Sequence, residues 1–232
     1  MHFLCELSVL CVQRDARETL KLSLPPLMAM VDADVANAAG WSIIDLTSAF
    51  LSGGATLIQL RAKNAAGGRL FDAASAIVAL AHPANARVII NDRADIAKLS
   101  GADGVHVGQD DLPPALVRRI VGEQTMVGFS THTRDQVDGA VRELVNYVAV
   151  GPVFDTRTKQ SEYRAIGLAG VREAADATRA AGLPLVAIGG ITLERAPDVI
   201  GAGADSVAVI GDLLVNGNPE ARVRSYLERL TV

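Results

Sequence analysis

Aromatic side chains are scarce: Phe, Trp and Tyr together make up 4% of the 232 residues. Proteins that stack nucleobases rely on such rings, so a base-reading surface is disfavoured. The core must instead come from Ala, Val, Leu and Ile. Basic charge is also in short supply. With 22 Lys and Arg against 26 Asp and Glu, the formal charge is −4. That leaves no basic stripe for a polyanion, and no nucleic-acid partner is expected. Cysteine is limited to Cys5 and Cys11, remote from any other thiol. This supplies neither a disulfide framework nor a four-ligand zinc site, and both are read as small apolar residues. No run of about 18 uncharged apolar residues occurs, so no spanning helix and no membrane partner are expected. Residues 1–12 are apolar but lack a cationic start, are interrupted by Glu6 and precede no small-residue cleavage site. They are not read as an export signal, and a cytoplasmic location is expected.

What remains is an ordinary globular composition, half hydrophobic and 21% charged, which excludes disorder. The length fits one domain with a large core. Residues 1–24 read as an N-terminal extension, a helix or strand packed outside the main fold, and 25–232 as a single catalytic domain without a linker. From residue 27 onward two kinds of segment alternate. Short β-branched runs fall at 27–31, 57–61, 87–91, 104–107, 126–129, 147–150, 185–188 and 206–210. Most are nearly continuous in apolar residues, as strands covered on both faces tend to be. Between them lie Ala- and Leu-rich stretches at helical spacing, such as Leu70, Ala73, Ala74, Ile77, Val78 and Ala81. A Gly-Ala turn ends a helical stretch three times, at Gly54, Gly101 and Gly203, where a left-handed residue is favoured. The expected fold class is α/β, a single (β/α)8 TIM barrel, for which about 200–250 residues is the right length. A doubly wound open sheet is the rival, weakened because no Gly-x-Gly-x-x-Gly follows the first strand.

A barrel gathers its chemistry where strands end. The second strand closes on Gln59, Arg61 and, beyond it, Lys63, residues of one parity that share a side. A cation inside a strand needs a partner, and both a bound anion and a surface ion pair are open for Arg61. Asn91 and Asp92 end the third strand, as ligands or as caps of the next helix. The fourth carries His106, a core or a catalytic histidine, then Asp110 and Asp111, one of which is expected to cap the following helix. Two carboxylates from adjacent strand ends can also hold Mg2+, which favours partial protein coordination. Ser130, Thr131, His132 and Thr133 follow the fifth strand, with Thr133 the better helix cap. After the sixth, Thr156, Arg157, Thr158 and Lys159 suit a loop that closes over phosphate. Glycines at 189, 190 and 211 let backbone N–H groups approach an anion. Spacing alone reaches a phosphate-binding barrel with metal assistance, and no further.

Taken in order, these segments resemble the thiamine-phosphate synthase family from about residue 27 to 214. They are Gln59 to Lys63, Asn91-Asp92, His106 to Asp111, Ser130 to His132, Gly151 to Lys159, Gly189 to Ile191 and Ala204 to Gly211. The resemblance implies coupling of 4-amino-2-methyl-5-(diphosphooxymethyl)pyrimidine to 4-methyl-5-(2-phosphooxyethyl)thiazole, with diphosphate leaving first. Such a reaction needs leaving-group stabilisation and exclusion of water rather than an enzyme nucleophile. By similarity Gln59 meets the pyrimidine, while Arg61, Lys63, Asn91 and Lys159 hold the diphosphate. Asp92 and Asp111 carry Mg2+, Ser130 lies near the reacting pyrimidine, and Thr156, Thr158, Gly189, Ile210 and Gly211 surround the thiazole phosphate. Arg61, Lys63, Ser130 and Lys159 are thus the implied catalytic set.

Three departures from the family pattern stand out. Ala62 replaces an acidic residue and is expected to point away from the mouth. Gly211 replaces a serine, losing a hydroxyl bond worth on the order of 1 kcal/mol. Met28 and Ala29 replace first-strand residues and are expected to reshape the pyrimidine pocket. The alternatives carried forward are a thiazole tautomerase of the same fold, with His132 as acid–base, and a non-catalytic phosphate-binding barrel. The expected partners are small-molecule substrates, and homo-oligomer formation is left open.

Overall fold

Strand and helix alternate until the chain meets itself. The computed structural model describes residues 23–155 and 163–231, so residues 1–22 of the expected N-terminal extension lie outside the described part. β1 (Leu27–Asp32) leads into α1 (Ala33–Ala38) and α2 (Ile43–Ser52). There follow β2 (Leu57–Arg61) with α3 (Gly67–Ala81), β3 (Arg87–Asn91) with α4 (Ala94–Ser100), and β4 (Gly104–Val107) with α5 (Pro114–Val121). Then come β5 (Met126–Thr131) with α6 (Arg134–Ala140), β6 (Tyr147–Val150) with α7 (Gly167–Ala180), and β7 (Leu185–Ile188) with α8 (Ala196–Gly201). β8 (Ser206–Val209) is followed by 3-10 turns over Gly211–Gly217 and by α9 (Pro219–Leu230). All neighbouring strands are parallel and β8 pairs with β1, in the register Leu27↔Val207, Met28↔Ala208 and Ala29↔Val209, closing the barrel.

The period of two in each strand divides its side chains between two cores. Met28, Leu57, Ile89, Met126, Tyr147, Val186 and Ala208 fill the barrel. Ala29, Val31, Ile58, Leu60, Val88 and Ile90 face outward against helical residues such as Phe50, Ile77 and Val171. Burial on both sides is why the strands read as unbroken apolar runs. It also corrects one expectation. Met28 does face the interior, but Ala29 packs under the helices and cannot shape a pocket there. Ala62 likewise packs against the outer core, as expected.

The three Gly-Ala turns are left-handed at their glycines, with φ +96° at Gly54, +71° at Gly101 and +110° at Gly203. In two of them the aspartate that follows ties adjacent strands together. Asp103 Oδ2 accepts from Val88 N and Asp205 Oδ2 from Leu185 N, each at 2.8 Å. The repeated motif therefore both ends a helix and sets the start of a strand pair. Among the described residues no helix is long and apolar enough to cross a membrane.

Candidate active site

Because every strand is parallel, all eight carboxyl ends share one rim, and a cavity of about 380 Å3 opens there. On the first quarter of the rim, register decides the chemistry. Asp32 and Arg61 are directly paired across β1 and β2, and their side chains form an ion pair. Asp32 is buried and also accepts from the backbone N–H groups of Asp34 and Val35, capping α1. Arg61 therefore has a resident partner, and its position does not depend on a bound anion. Instead Asp32 holds the guanidinium at the edge of the cavity that it lines. Beyond the strand, Lys63 Nζ lies 3.0 Å from Asp92 Oδ2.

Asp92 adopts a left-handed backbone, φ +64°, with its N–H donated to the His106 carbonyl at 2.7 Å. This turn carries its carboxylate away from α4, which has no side-chain cap, so the capping alternative for Asn91 and Asp92 falls. Asn91 lines the cavity. Asp111 is not a helix cap either. Pro113 precedes α5 without a side-chain cap, and Asp111 Oδ2 accepts from Gly108 N at 2.7 Å. The two carboxylates approach each other. Burial pushes the Asp92 carboxyl above its ordinary range; the hydrogen bond from Lys63 opposes this, and the neighbouring Asp111 adds to the rise.

Among the described residues no group of three or more His, Cys, Asp or Glu could hold a metal. A crowded pair of hard oxygen donors still fits Mg2+, which takes the rest of its octahedron from water and phosphate oxygens.

The floor holds Gln59, buried, with Nε2 3.3 Å from the sulfur of Met28, a weak acceptor. Beside it His106 bridges Tyr147 and Ser130. Gln109 donates to the Ser130 carbonyl at 2.6 Å. His132 also lines the cavity; its Nδ1 meets the Gly151 carbonyl and its ring stacks on Tyr163 at 4.1 Å. Since a carbonyl only accepts, Nδ1 carries the proton there. Thr133 caps α6 through Gln136 N, as expected.

Across the mouth, Gly189 and Gly190 are left-handed, φ +103° and +64°. A Cβ on Gly189 would stand 2.6 Å from Pro152 Cα, and one on Gly190 2.6 Å from the Asp155 carbonyl, so only glycine lets the loops after β6 and β7 pass this closely. Ile210 and Gly211 line the same side. Asp212 ties these loops to the last helix, since its Oδ2 accepts from Leu193 N at 3.1 Å, Arg222 at 2.7 Å and the Tyr226 hydroxyl at 2.6 Å. Thr156, Thr158 and Lys159 lie outside the described residues.

Four residues of this site escape the sequence. Asp32 carries only a helix-cap signal, Tyr147 reads as a strand core residue, and Asp212 as a loop carboxylate. Arg195, which lines the cavity above the Phe154 ring at 4.6 Å and donates to the Gly190 carbonyl, has no motif at all.

The family model described as thiamine monophosphate synthase matches residues 28–213. A thiamine-phosphate synthase of Koribacter versatilis is 42% identical over 212 residues, 90% of this chain and 97% of its own. One from Chlorobium luteolum is 40% identical, over 88% of this chain and 92% of its own. Among solved structures, a thiamine phosphate pyrophosphorylase from Pyrococcus furiosus superposes with a TM-score of 0.81 at 26% identity, covering 91% of this chain and 97% of that one.

Proposed function

The chain belongs to the thiamine monophosphate synthase family, and from that membership we propose that it makes thiamine phosphate. It transfers the pyrimidinylmethyl group of 4-amino-2-methyl-5-(diphosphooxymethyl)pyrimidine to the nitrogen of 4-methyl-5-(2-phosphooxyethyl)thiazole and releases diphosphate. The observation that carries this reading is the division of the rim. Arg61 and Lys63, each held by a carboxylate, stand with Asn91, Asp92 and Asp111 at the ends of β2 to β4. Glycine backbone at 189, 190 and 211 lines the far side, after β7 and β8. One half suits a leaving diphosphate and the other a small phosphate ester.

Arg61 and Lys63, with Lys159 from the loop after β6, take up the charge that develops as the carbon–oxygen bond breaks. Prior fixation of Arg61 by Asp32 means little reorganisation at that moment. Gln59 orients the aminopyrimidine, and Ser130 lies beside the reacting carbon. Thr156, Thr158, Gly189, Ile210 and Gly211 receive the thiazole phosphate. Arg195 adds a cation to that side, where Gly211 brings no hydroxyl. Asp92 and Asp111 would hold Mg2+, which when bound supplies positive charge to diphosphate oxygens. The apolar lining from Met28, Met30, Val186, Ile188 and Ile210 keeps water from capturing the cation before the thiazole does.

The test is incubation with both phosphorylated heterocycles and Mg2+, followed by assay of thiamine phosphate and diphosphate. Product formation that requires both substrates is expected, with severe loss in Asp92→Ala and Lys159→Ala at unchanged circular dichroism. Normal turnover in both variants would overturn the assigned roles. Activity on a thiazole carboxylate phosphate alone would restore the tautomerase.

A further inference from the structure

Two buried polar side chains in the cavity floor take no part in holding either phosphate. His106 on β4 and Tyr147 on β6 form a line that ends at Ser130 on β5. The Tyr147 hydroxyl lies 2.9 Å from His106 Nδ1, and His106 Nε2 lies 2.7 Å from Ser130 Oγ. Their rings pack with centroids 5.4 Å apart and 27° between planes. The fold keeps space for the pair, because a Cβ on Gly128 of β5 would overlap both the Tyr147 ring and the His106 imidazole.

Such a line can run in two directions, since each imidazole nitrogen donates in one tautomer and accepts in the other. If Ser130 donated to Nε2, His106 would be a base and Ser130 an activated nucleophile. The phenol would then accept from Nδ1–H and its own proton would need another acceptor. Tyr147 sits among Met28, Ile89, Met126, Ala149, Val186 and Ala208. There His106 is the hydrogen-bond partner that the structure gives its hydroxyl. Burial pushes that hydroxyl well above its ordinary pKa, so the proton stays. An undonated phenol in this apolar floor is costly, and the opposite direction wins.

We propose that Tyr147 and His106 are positioning residues for Ser130: the phenol donates to Nδ1, Nε2–H donates to Ser130 Oγ, and the serine proton is turned into the cavity toward an acceptor on the pyrimidine substrate. The consequence is chemical as well as geometric. A hydroxyl beside an electron-deficient carbon is a competing nucleophile. Engaging its lone pair with Nε2–H lowers that reactivity while leaving its donor function intact.

The proposal rests on the cavity being the pyrimidine site, so its test has one arm that needs no substrate. Nitrogen-15 NMR of histidine-labelled wild-type protein, with His106 assigned by the resonance missing in His106→Gln, should show the neutral Nε2–H tautomer. An Nδ1–H tautomer or an imidazolium in the free protein overturns the proposal, whatever the enzyme does. In the coupling assay, Tyr147→Phe should lower kcat on the order of tenfold, the loss of one oriented hydrogen bond, and leave KM for both substrates within about twofold. His106→Gln, whose amide N–H can still reach Ser130, should exceed His106→Leu. In a Ser130→Ala background, Tyr147→Phe should have no further effect. An undiminished effect there marks a packing role and also overturns the proposal.

Discussion

Removing the Asp32 carboxylate tests how the cationic rim is held. Asp32 is 2% exposed and the Arg61 side chain 16%, so bulk water screens their ion pair weakly. Asp32→Ala deletes the α1 cap, worth about 1 kcal/mol, and leaves a largely buried guanidinium without its partner, worth about 3 kcal/mol. The sum, about 4 kcal/mol, corresponds in a chain of this length to a fall in Tm of about 8–16 °C. Asp32→Asn keeps an oxygen for the Asp34 and Val35 N–H groups but turns an NH2 donor toward Arg61, so it spares the cap alone and should cost about 3 kcal/mol, or about 6–12 °C. Calorimetry on the two variants checks the numbers, and the coupling assay should show kcat/KM for the pyrimidine diphosphate falling in the same order. Were both variants to melt within about 2 °C of wild type, or alanine and asparagine to behave alike, the reasoning about a resident counter-ion would be wrong.

Gly189→Ala combines φ +103° with a Cβ 2.6 Å from Pro152 Cα; it should cost about 2–4 kcal/mol and raise KM for the thiazole phosphate more than for the pyrimidine, as read by melting and steady-state kinetics. Adding Mg2+ should raise Tm in wild type but not in Asp92→Asn or Asp111→Asn, and either substitution should raise Tm without the ion by relieving the crowded carboxylates; an equal Mg2+ response in all three would remove these ligands. Burial, then the hydrogen bond to Asp212, push the Tyr226 phenol above its ordinary value. Its contribution is therefore complete below about pH 10 and is lost as pH rises further. Tyr226→Phe should flatten the alkaline loss of stability followed by denaturant titration, and an unchanged slope would contradict the sign.

The barrel was legible because its local signals agree. Strands at 57–61, 87–91, 104–107, 147–150 and 185–188 match the β-branched runs residue for residue, since burial on both faces writes a continuous pattern. The positions of Arg61, Lys63, Asn91 and Asp92 at the strand ends, and of Gln59 facing inward below them, were legible from strand-end position and the period of two. What stayed hidden depends on register and distance. Asp32 meets Arg61 only because β1 and β2 align those two positions, and Tyr147 lies 41 residues from His106. Asp111 carries a cap-like sequence next to two prolines, but Gly108 N claims its carboxylate first. The left-handed turn at Asp92 has no sequence marker, because aspartate tolerates that conformation only less badly than most side chains.

Closure of the sheet between its first and last strands has a consequence for synthesis. The join Leu27↔Val207 to Ala29↔Val209 brings the glycine wall, supplied near the end of translation, round to Arg61 and Lys63, supplied early. A nascent polypeptide that has left the ribosome only as far as β6 carries Arg61, Lys63 and the two carboxylates, still without Lys159 and with no glycine wall opposite. The two halves of the rim therefore face each other only after the eighth strand has zipped onto the first.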